Sequence, residues 1–210
     1  MKNMKKELTD YEKRGLLIEA AKKEFLEKGY NKASLRGICA KAGMTTGALY
    51  FFFDGKEDLY HAIVDGPVKE LQEMILKHFM EDRETMKDLQ QIEECLVDHK
   101  DVSDMFLDYI YEHYDSFQLL LSGSKEGELE SSLDAFVQLA EKNSPTMIEL
   151  APGFRLDPFM THWMSHVTVD AFVHVIKHEK DIEKAKERMG SIMNYLVRGW
   201  AELALLPAER

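Results

Sequence analysis

Residues 45–60 read TTGALYFFFDGKEDLY, and where these side chains face decides what kind of domain the chain begins with. Tyr50, Phe51, Phe52 and Phe53 stand side by side, followed at once by Asp54, Gly55 and Lys56. A helix turns by about 100° per residue and a strand by about 180°, so four adjacent aromatics cannot all face one core. On a helix, Leu49 and Phe53 lie one turn apart and suit the inner face. Tyr50 and Phe51 then point at something else. Thr45 is a good N-cap for that helix, and Asp54-Gly55 stops it.

Upstream, Leu17, Ala20, Ala21, Phe25 and Leu26 recur with the 3.6-residue period and predict a first helix over about residues 10–28. Gly29 stands at its C′ position, where a left-handed residue ends a helix with little strain. Ser34 caps a second, short helix that runs through Ile38 and Ala42 and stops at Gly43. Two short helices joined by a turn containing glycine, the second capped by a hydroxyl, are the pattern of a helix-turn-helix.

Downstream, a fourth helix begins near Lys56 and carries Leu59, Ile63, Leu71, Ile75 and Phe79; Gly66-Pro67 within it predicts a kink or a break. Further helical segments are expected at about 84–99, 102–121, 126–143, 158–178 and 181–204, separated by Ser122-Gly123-Ser124, Asn143-Ser144-Pro145 and Ala151-Pro152-Gly153. Asp157-Pro158 reads as an N-cap followed by a proline at the first helical position. No repeat, low-complexity tract or confident strand appears, so the expected fold is all-α. In the last helix Ile182, Ala185, Met189, Ile192, Leu196, Trp200 and Leu203 fall at near-heptad spacing. The helix before it is apolar around most of its circumference. Such a helix is either buried within one chain or packed against a second copy, and the second is the expectation.

The 210 residues suffice for a sizeable core, with 45% hydrophobic and 31% charged residues. Cys39 and Cys95 lie far apart without metal-ligand spacing, no apolar signal core follows the lysine-rich start, and no stretch is long enough to span a bilayer. A cytoplasmic protein without a membrane partner is expected. The net charge of -11 is uneven: residues 1–60 hold 12 Lys/Arg against 9 Asp/Glu, and the remainder is strongly acidic. A basic module on an acidic body fits this asymmetry. No nucleophile elbow, Gly-rich phosphate loop or HExxH occurs, so neither an enzyme nor a cofactor is expected.

Arg14, Ile18, Ala20, Ala21, Phe25, Gly29, Tyr30, Ser34, Ile38, Ala42, Gly43, Gly47, Leu49, Tyr50, Phe53, Lys56 and Leu59 fall in register with a known pattern. Over about residues 10–62 the chain resembles the amino-terminal domain of the TetR/AcrR-like transcriptional regulators. The resemblance implies a three-helix helix-turn-helix DNA-binding domain at residues 1–66 and a larger helical ligand-binding and dimerisation domain at 67–210. It implies a homodimer, held through the last two helices, that binds a palindromic DNA operator as a repressor and is released by a small-molecule effector. An all-α small-molecule-binding protein or enzyme with a degenerate helix-turn-helix is the rival reading.

Eight residues are expected to serve DNA. Ser34 and Thr45 cap the two helices, Thr45 offering a hydroxyl and helix-end N–H groups to a phosphate. Gly47 lets the backbone approach closely, Tyr50 offers a hydroxyl, and Lys56 supplies a point charge. By resemblance Arg36, Thr46 and Phe51 reach base edges; arginine suits guanine and phenylalanine a thymine methyl. Thr46 and Phe52 depart from the family pattern, where stronger hydrogen-bonding residues are usual. In the larger half Met74, Phe106, Tyr109, Tyr111, Tyr114, Phe117, Phe136, Phe159 and Trp163 suit an apolar pocket, and equally an ordinary core. The acidic balance favours a cationic or neutral effector. His162, His166, Asp170, His174 and His178 follow one another at i+4 steps, so neighbours are close enough to share a metal such as Zn²⁺ or Ni²⁺, but successive steps drift by about 40° and the five cannot form one site. No bound metal is expected.

Overall fold

The computed structural model describes residues 8–85, 100–123, 127–143 and 154–207. The elements are α1 (Asp10–Lys32), α2 (Leu35–Ala42), α3 (Thr46–Phe52), α4 (Lys56–Thr85), α5 (Lys100–Glu112), α6 (Tyr114–Gly123), α7 (Glu128–Asn143), β1 (Phe154–Leu156), α8 (Pro158–His178), α9 (Ile182–Ala204) and β2 (Leu205–Pro207). The all-α expectation stands, with one addition that the sequence pattern does not show. Two three-residue strands, β1 and β2, pair antiparallel with Arg155 opposite Leu206. The expected segment over 84–99 lies largely outside the described residues.

Local chemistry accounts for the ends of most helices. Thr9 and Glu12 form a complete capping box at the start of α1, where the Glu12 carboxylate accepts from the Thr9 N–H at 2.7 Å. Gly29 interrupts α1 with φ 72°, a region that side chains resist, and Ala33 N–H closes back on the Gly29 carbonyl at 3.1 Å. Gly43 ends α2 in the left-handed conformation, φ 66° and ψ 31°. Asp157 caps α8 by accepting from Met160 N–H at 2.9 Å, with Pro158 in the first turn.

Three expectations need correction. Gly66-Pro67 does not break α4, which runs unbroken from Lys56 to Thr85 with Pro67 inside it. Proline removes one intrahelical donor, and the rest of a 30-residue helix tolerates that loss. The expected single helix over 102–121 is two, α5 and α6, separated at His113. Leu26, placed on the apolar stripe of α1, is 40% exposed, whereas the charged Glu24 is fully buried.

The chain divides into two compact units. One takes the residues up to Val68 and the segment from Asp115; the other takes Lys69–Tyr114 and the residues from Gly127 on. A cut at residues 66 and 67 therefore does not capture the segment from Asp115. The core of the first unit contains Leu17, Ala21, Phe25, Ile38, Leu49, Phe53, Leu59 and Tyr60, all buried. Phe25, Tyr30 and Tyr60 pack ring against ring, with centroids 5.4–6.2 Å apart. In the second unit Leu107, Val175, Ala185 and Met189 form a buried cluster, flanked by Tyr111, Phe172, Ile192 and Met193. That cluster joins α5, α8 and α9, and α7 packs on α8. The heptad-like stripe of α9 is buried at Ala185, Met189 and Leu196, while the side chains of Trp200 and Leu203 lie outside the described part.

Candidate nucleic-acid interface

The site grows from two caps and a glycine. Ser34 Oγ accepts from Gly37 N–H at 3.1 Å and starts α2. Left-handed Gly43 then turns the chain, and Met44 N–H donates to the Cys39 carbonyl at 2.9 Å. Thr45 Oγ1 accepts from Ala48 N–H at 3.2 Å and starts α3. Both capping hydroxyls are exposed and keep their own protons to donate outward.

The four aromatics divide as the helical period requires. Leu49 and Phe53 are buried, at 0% and 2% exposure, and fix α3 to its core. Tyr50 and Phe51 face solvent at 59% and 72%. Phe52 is half-buried and meets the Phe51 ring edge-on at 4.9 Å, so it props that ring in its outward position. The Arg14 guanidinium lies over the Phe53 ring at 4.9 Å, which ties the start of α1 to the end of α3. Thr46 and Gly47 are exposed, and a side chain at Gly47 would meet only Thr45 Oγ1, at 3.9 Å. Arg36 is exposed on α2. Ser34, Arg36, Thr45, Thr46, Gly47, Tyr50 and Phe51 are thus all exposed residues of one compact unit.

Lys56 is different. Its ammonium donates to the Tyr30 carbonyl at 2.8 Å and lies 3.4 Å from the carbonyls of Asn31 and Ala33. It also sits 4.5 Å from the centre of the Tyr30 ring. A lysine expected to offer its charge to a phosphate instead gathers the carbonyls at the end of α1. Its place at the start of α4 suggested an exposed charge; only the fold reveals the acceptors.

Glu24 is the residue that sequence reasoning missed. It is fully buried beside Gly37, with Lys28 Nζ 2.6 Å from Oε1 and Lys41 Nζ 3.2 Å from Oε2. The hydrogen bond from Lys28 lowers its pKa most, and Lys41 and the backbone N–H of Ser34 act the same way against the opposing effect of burial. Lys41 also pairs with Glu27, and its own pKa is raised by that partner first and Glu24 second. The available signal was a charge in the middle of an otherwise apolar stripe.

The candidate effector residues are divided between the two units. Phe117 is buried in the first unit, whereas Met74, Phe106, Tyr109, Tyr114, Phe159 and Trp163 belong to the second. Phe106 meets His78 and Phe172 edge-on at 6.1 and 6.5 Å. Tyr109 donates to Glu70 at 2.8 Å, and burial with that carboxylate raises its pKa. Tyr114 lies against Tyr111, whose hydroxyl donates to the Glu179 carbonyl at 2.7 Å and is pushed up to about 12, mainly by burial. Met74 and Phe136 are half-buried. Phe159 and Trp163 are 73% and 47% exposed on α8. None of these residues lines the groove of about 620 Å³ formed by His174, Val175, His178, Glu187, Arg188 and Ile192. His162 pairs with His166 ring to ring at 4.6 Å and bonds Glu141; His174 pairs with His178 at 4.5 Å. Among the described residues no three His, Cys, Asp or Glu side chains are grouped as a metal site requires.

Residues 17–63 match the pattern of "Bacterial regulatory proteins, tetR family". Over 53 residues the chain is 42% identical to the HTH-type transcriptional repressor BepR of Brucella suis, a match that spans only about a quarter of each protein. Two solved structures extend the likeness in fold to nearly the whole chain. One is a TetR-like transcriptional regulator from Rhodococcus, with TM-score 0.56 and 19% identity over 93% of this chain and 99% of that one. The other is a complex of SmeT with triclosan, with TM-score 0.62 and 20% identity over 94% and 96%. SmeT is the repressor of the Stenotrophomonas maltophilia multidrug efflux pump SmeDEF.

Proposed function

From a TetR-family amino-terminal module at residues 17–63, on a chain with the fold of TetR-like regulators, we propose a homodimeric transcriptional repressor that binds palindromic DNA and is released by a small apolar effector. The carrying observation is the sorting of α3: Leu49 and Phe53 inward, Tyr50 and Phe51 outward, with the hydroxyls that cap α2 and α3 both exposed. In this reading α3 enters the major groove. Phe51 meets a thymine methyl, Arg36 reaches guanine, and Ser34, Thr45 and Tyr50 hold phosphates. Thr46 and Gly47 sit against the groove floor. Lys56 is withdrawn from the DNA-contacting set.

Exposed apolar side chains on the last two helices support the dimer. Phe159 and Trp163 on α8 and Tyr195 on α9 are each at least 47% exposed, and covering them with the same helices of a second copy removes that apolar surface from water. The SmeT–triclosan complex supports an apolar aromatic effector for this fold, and α4, continuous through Gly66-Pro67, carries the response between the effector and the DNA.

The test is selection of duplexes from a random pool, followed by affinity measurement across salt concentrations. Lys23, Lys32 and Arg36 are exposed cations of the first unit with neither an ion pair nor a ring contact among the described residues. If Lys23 and Lys32 of each protomer meet phosphates while Arg36 reads guanine, the log–log salt slope for the dimer is about -4. Failure to enrich any sequence at low salt would sink the proposal.

A further inference from the structure

α1 and α2 begin differently, and the difference leaves a gap. At α1 both halves of a capping box are present: Thr9 takes the Glu12 N–H, and the Glu12 carboxylate takes the Thr9 N–H. At α2 Ser34 takes the Gly37 N–H, but the position that should supply the returning carboxylate is glycine. The acid stands on another helix. Glu24 of α1 reaches the start of α2 so closely that a Cβ added to Gly37 would lie 2.3 Å from its Oε1, 2.8 Å from its Cδ and 3.1 Å from Ser34 Oγ. Only glycine leaves room for the carboxylate.

We propose that Glu24 completes the cap of α2 from outside that helix and so positions the segment that presents Ser34 and Arg36 to DNA. A buried carboxylate is costly unless it is paired and hydrogen-bonded. Here Lys28 and Lys41 flank it, the second from α2 itself, so the same group ties both ends of α2 to α1. A carboxylate at a helix start also interacts favourably with the partial positive charge of that end. Glu24 touches no DNA in this arrangement. It is a positioning residue, and its value to the interface rests on the DNA-binding reading above.

Moving the acid back to its local place tests the idea, with Glu24→Leu, Gly37→Glu and the double variant compared. Each single change should harm the site: the first removes the carboxylate, the second drives a side chain into it. Together they rebuild a local Ser-x-x-Glu box, so the double variant should recover. Two readouts are used. Amide exchange at Ser34–Ile38 should quicken by about tenfold in Glu24→Leu and return to within about threefold of the parent in the double variant. Affinity for the duplex that the parent chain selects from a random pool should follow the same order. Glu24→Gln, which keeps the packing, serves as a further single variant if Glu24→Leu does not fold. Additive damage in the double variant, or unchanged exchange in both Glu24 variants, overturns the proposal. If the parent chain selects no duplex, the DNA reading fails while the exchange measurement still decides the role of Glu24.

Discussion

Replacing Lys56 with methionine separates two roles that a lysine at this position can play. Methionine keeps an unbranched apolar stem but removes the ammonium, and with it the 2.8 Å bond to the Tyr30 carbonyl and the contact with the Tyr30 ring. A hydrogen bond from a charged group contributes about 1.5–3 kcal/mol and an exposed cation–ring contact about 0.5–1 kcal/mol. Lys56 is half-buried, and solvent screening discounts the sum to about 2 kcal/mol. The ammonium also faces the carbonyl end of α1, where a cation is favoured, although it hangs from the start of α4, where one is not. Lys56→Met should therefore lower Tm in circular-dichroism melts by about 4 °C or more. The slope of log affinity against log salt should stay unchanged, because no phosphate contact is lost. If the variant melts with the parent and the slope shallows by about 0.9 per protomer, Lys56 serves phosphate and the reasoning fails.

Phe51→Ala should remove the reading of thymine methyls: deoxyuridine in the selected duplex should weaken the parent about fourfold for each contacted methyl and leave the variant indifferent, as measured by fluorescence anisotropy. Equal sensitivity of the two proteins would place the methyl contact elsewhere. Phe159→Glu together with Trp163→Glu should convert a dimer to a monomer in light scattering, since a charge carried into a closed apolar interface is not tolerated. A dimer of unchanged mass would put the interface on other helices. For pH, the folded pKa of Glu24 lies below its ordinary 4.5, so its stabilisation is complete above that value and is lost as pH falls through the lower, folded value. Urea midpoints between pH 6 and pH 3 should fall less steeply in Glu24→Gln than in the parent; parallel curves would contradict this.

The helices were legible where backbone chemistry is local. Ser34, Gly43, Thr45 and Asp157-Pro158 mark their helix ends because a cap or a left-handed turn depends on one or two residues. The split between α5 and α6 at His113 was not, because no glycine or proline marks it. β1 and β2 were illegible for another reason: three residues are too few to show an alternation, and their pairing spans some fifty residues of chain. The sequence does not sort pocket from core or surface, since Phe106 in a cluster and Trp163 on the surface have the same signature of a bulky apolar residue on a helix.

The surroundings of Glu24 and Lys56 were illegible in the sequence for one shared reason, and that reason bears on the interface. A sequence pattern assigns charge to the outside, because an isolated buried charge is costly. Each of these two residues offsets the cost through partners that only the fold assembles in full: Lys28 one turn on and Lys41 from α2 for Glu24, and the carbonyls of Tyr30, Asn31 and Ala33 for Lys56. Both spend their charge holding α1 to its neighbours. Meanwhile α3 contains no acidic or basic residue in Thr46–Phe52. Much of the charge in this unit thus acts as framework, and α3, on the proposed reading, offers DNA hydroxyls and aromatic rings with Arg36 of α2 as its charged neighbour. Such a face discriminates by shape and by methyl groups more than by ionic attraction. Its affinity should consequently depend on how rigidly the charged framework holds Tyr50 and Phe51 in place, which is why substitutions at Glu24 or Gly37, away from any base, are expected to reach the operator.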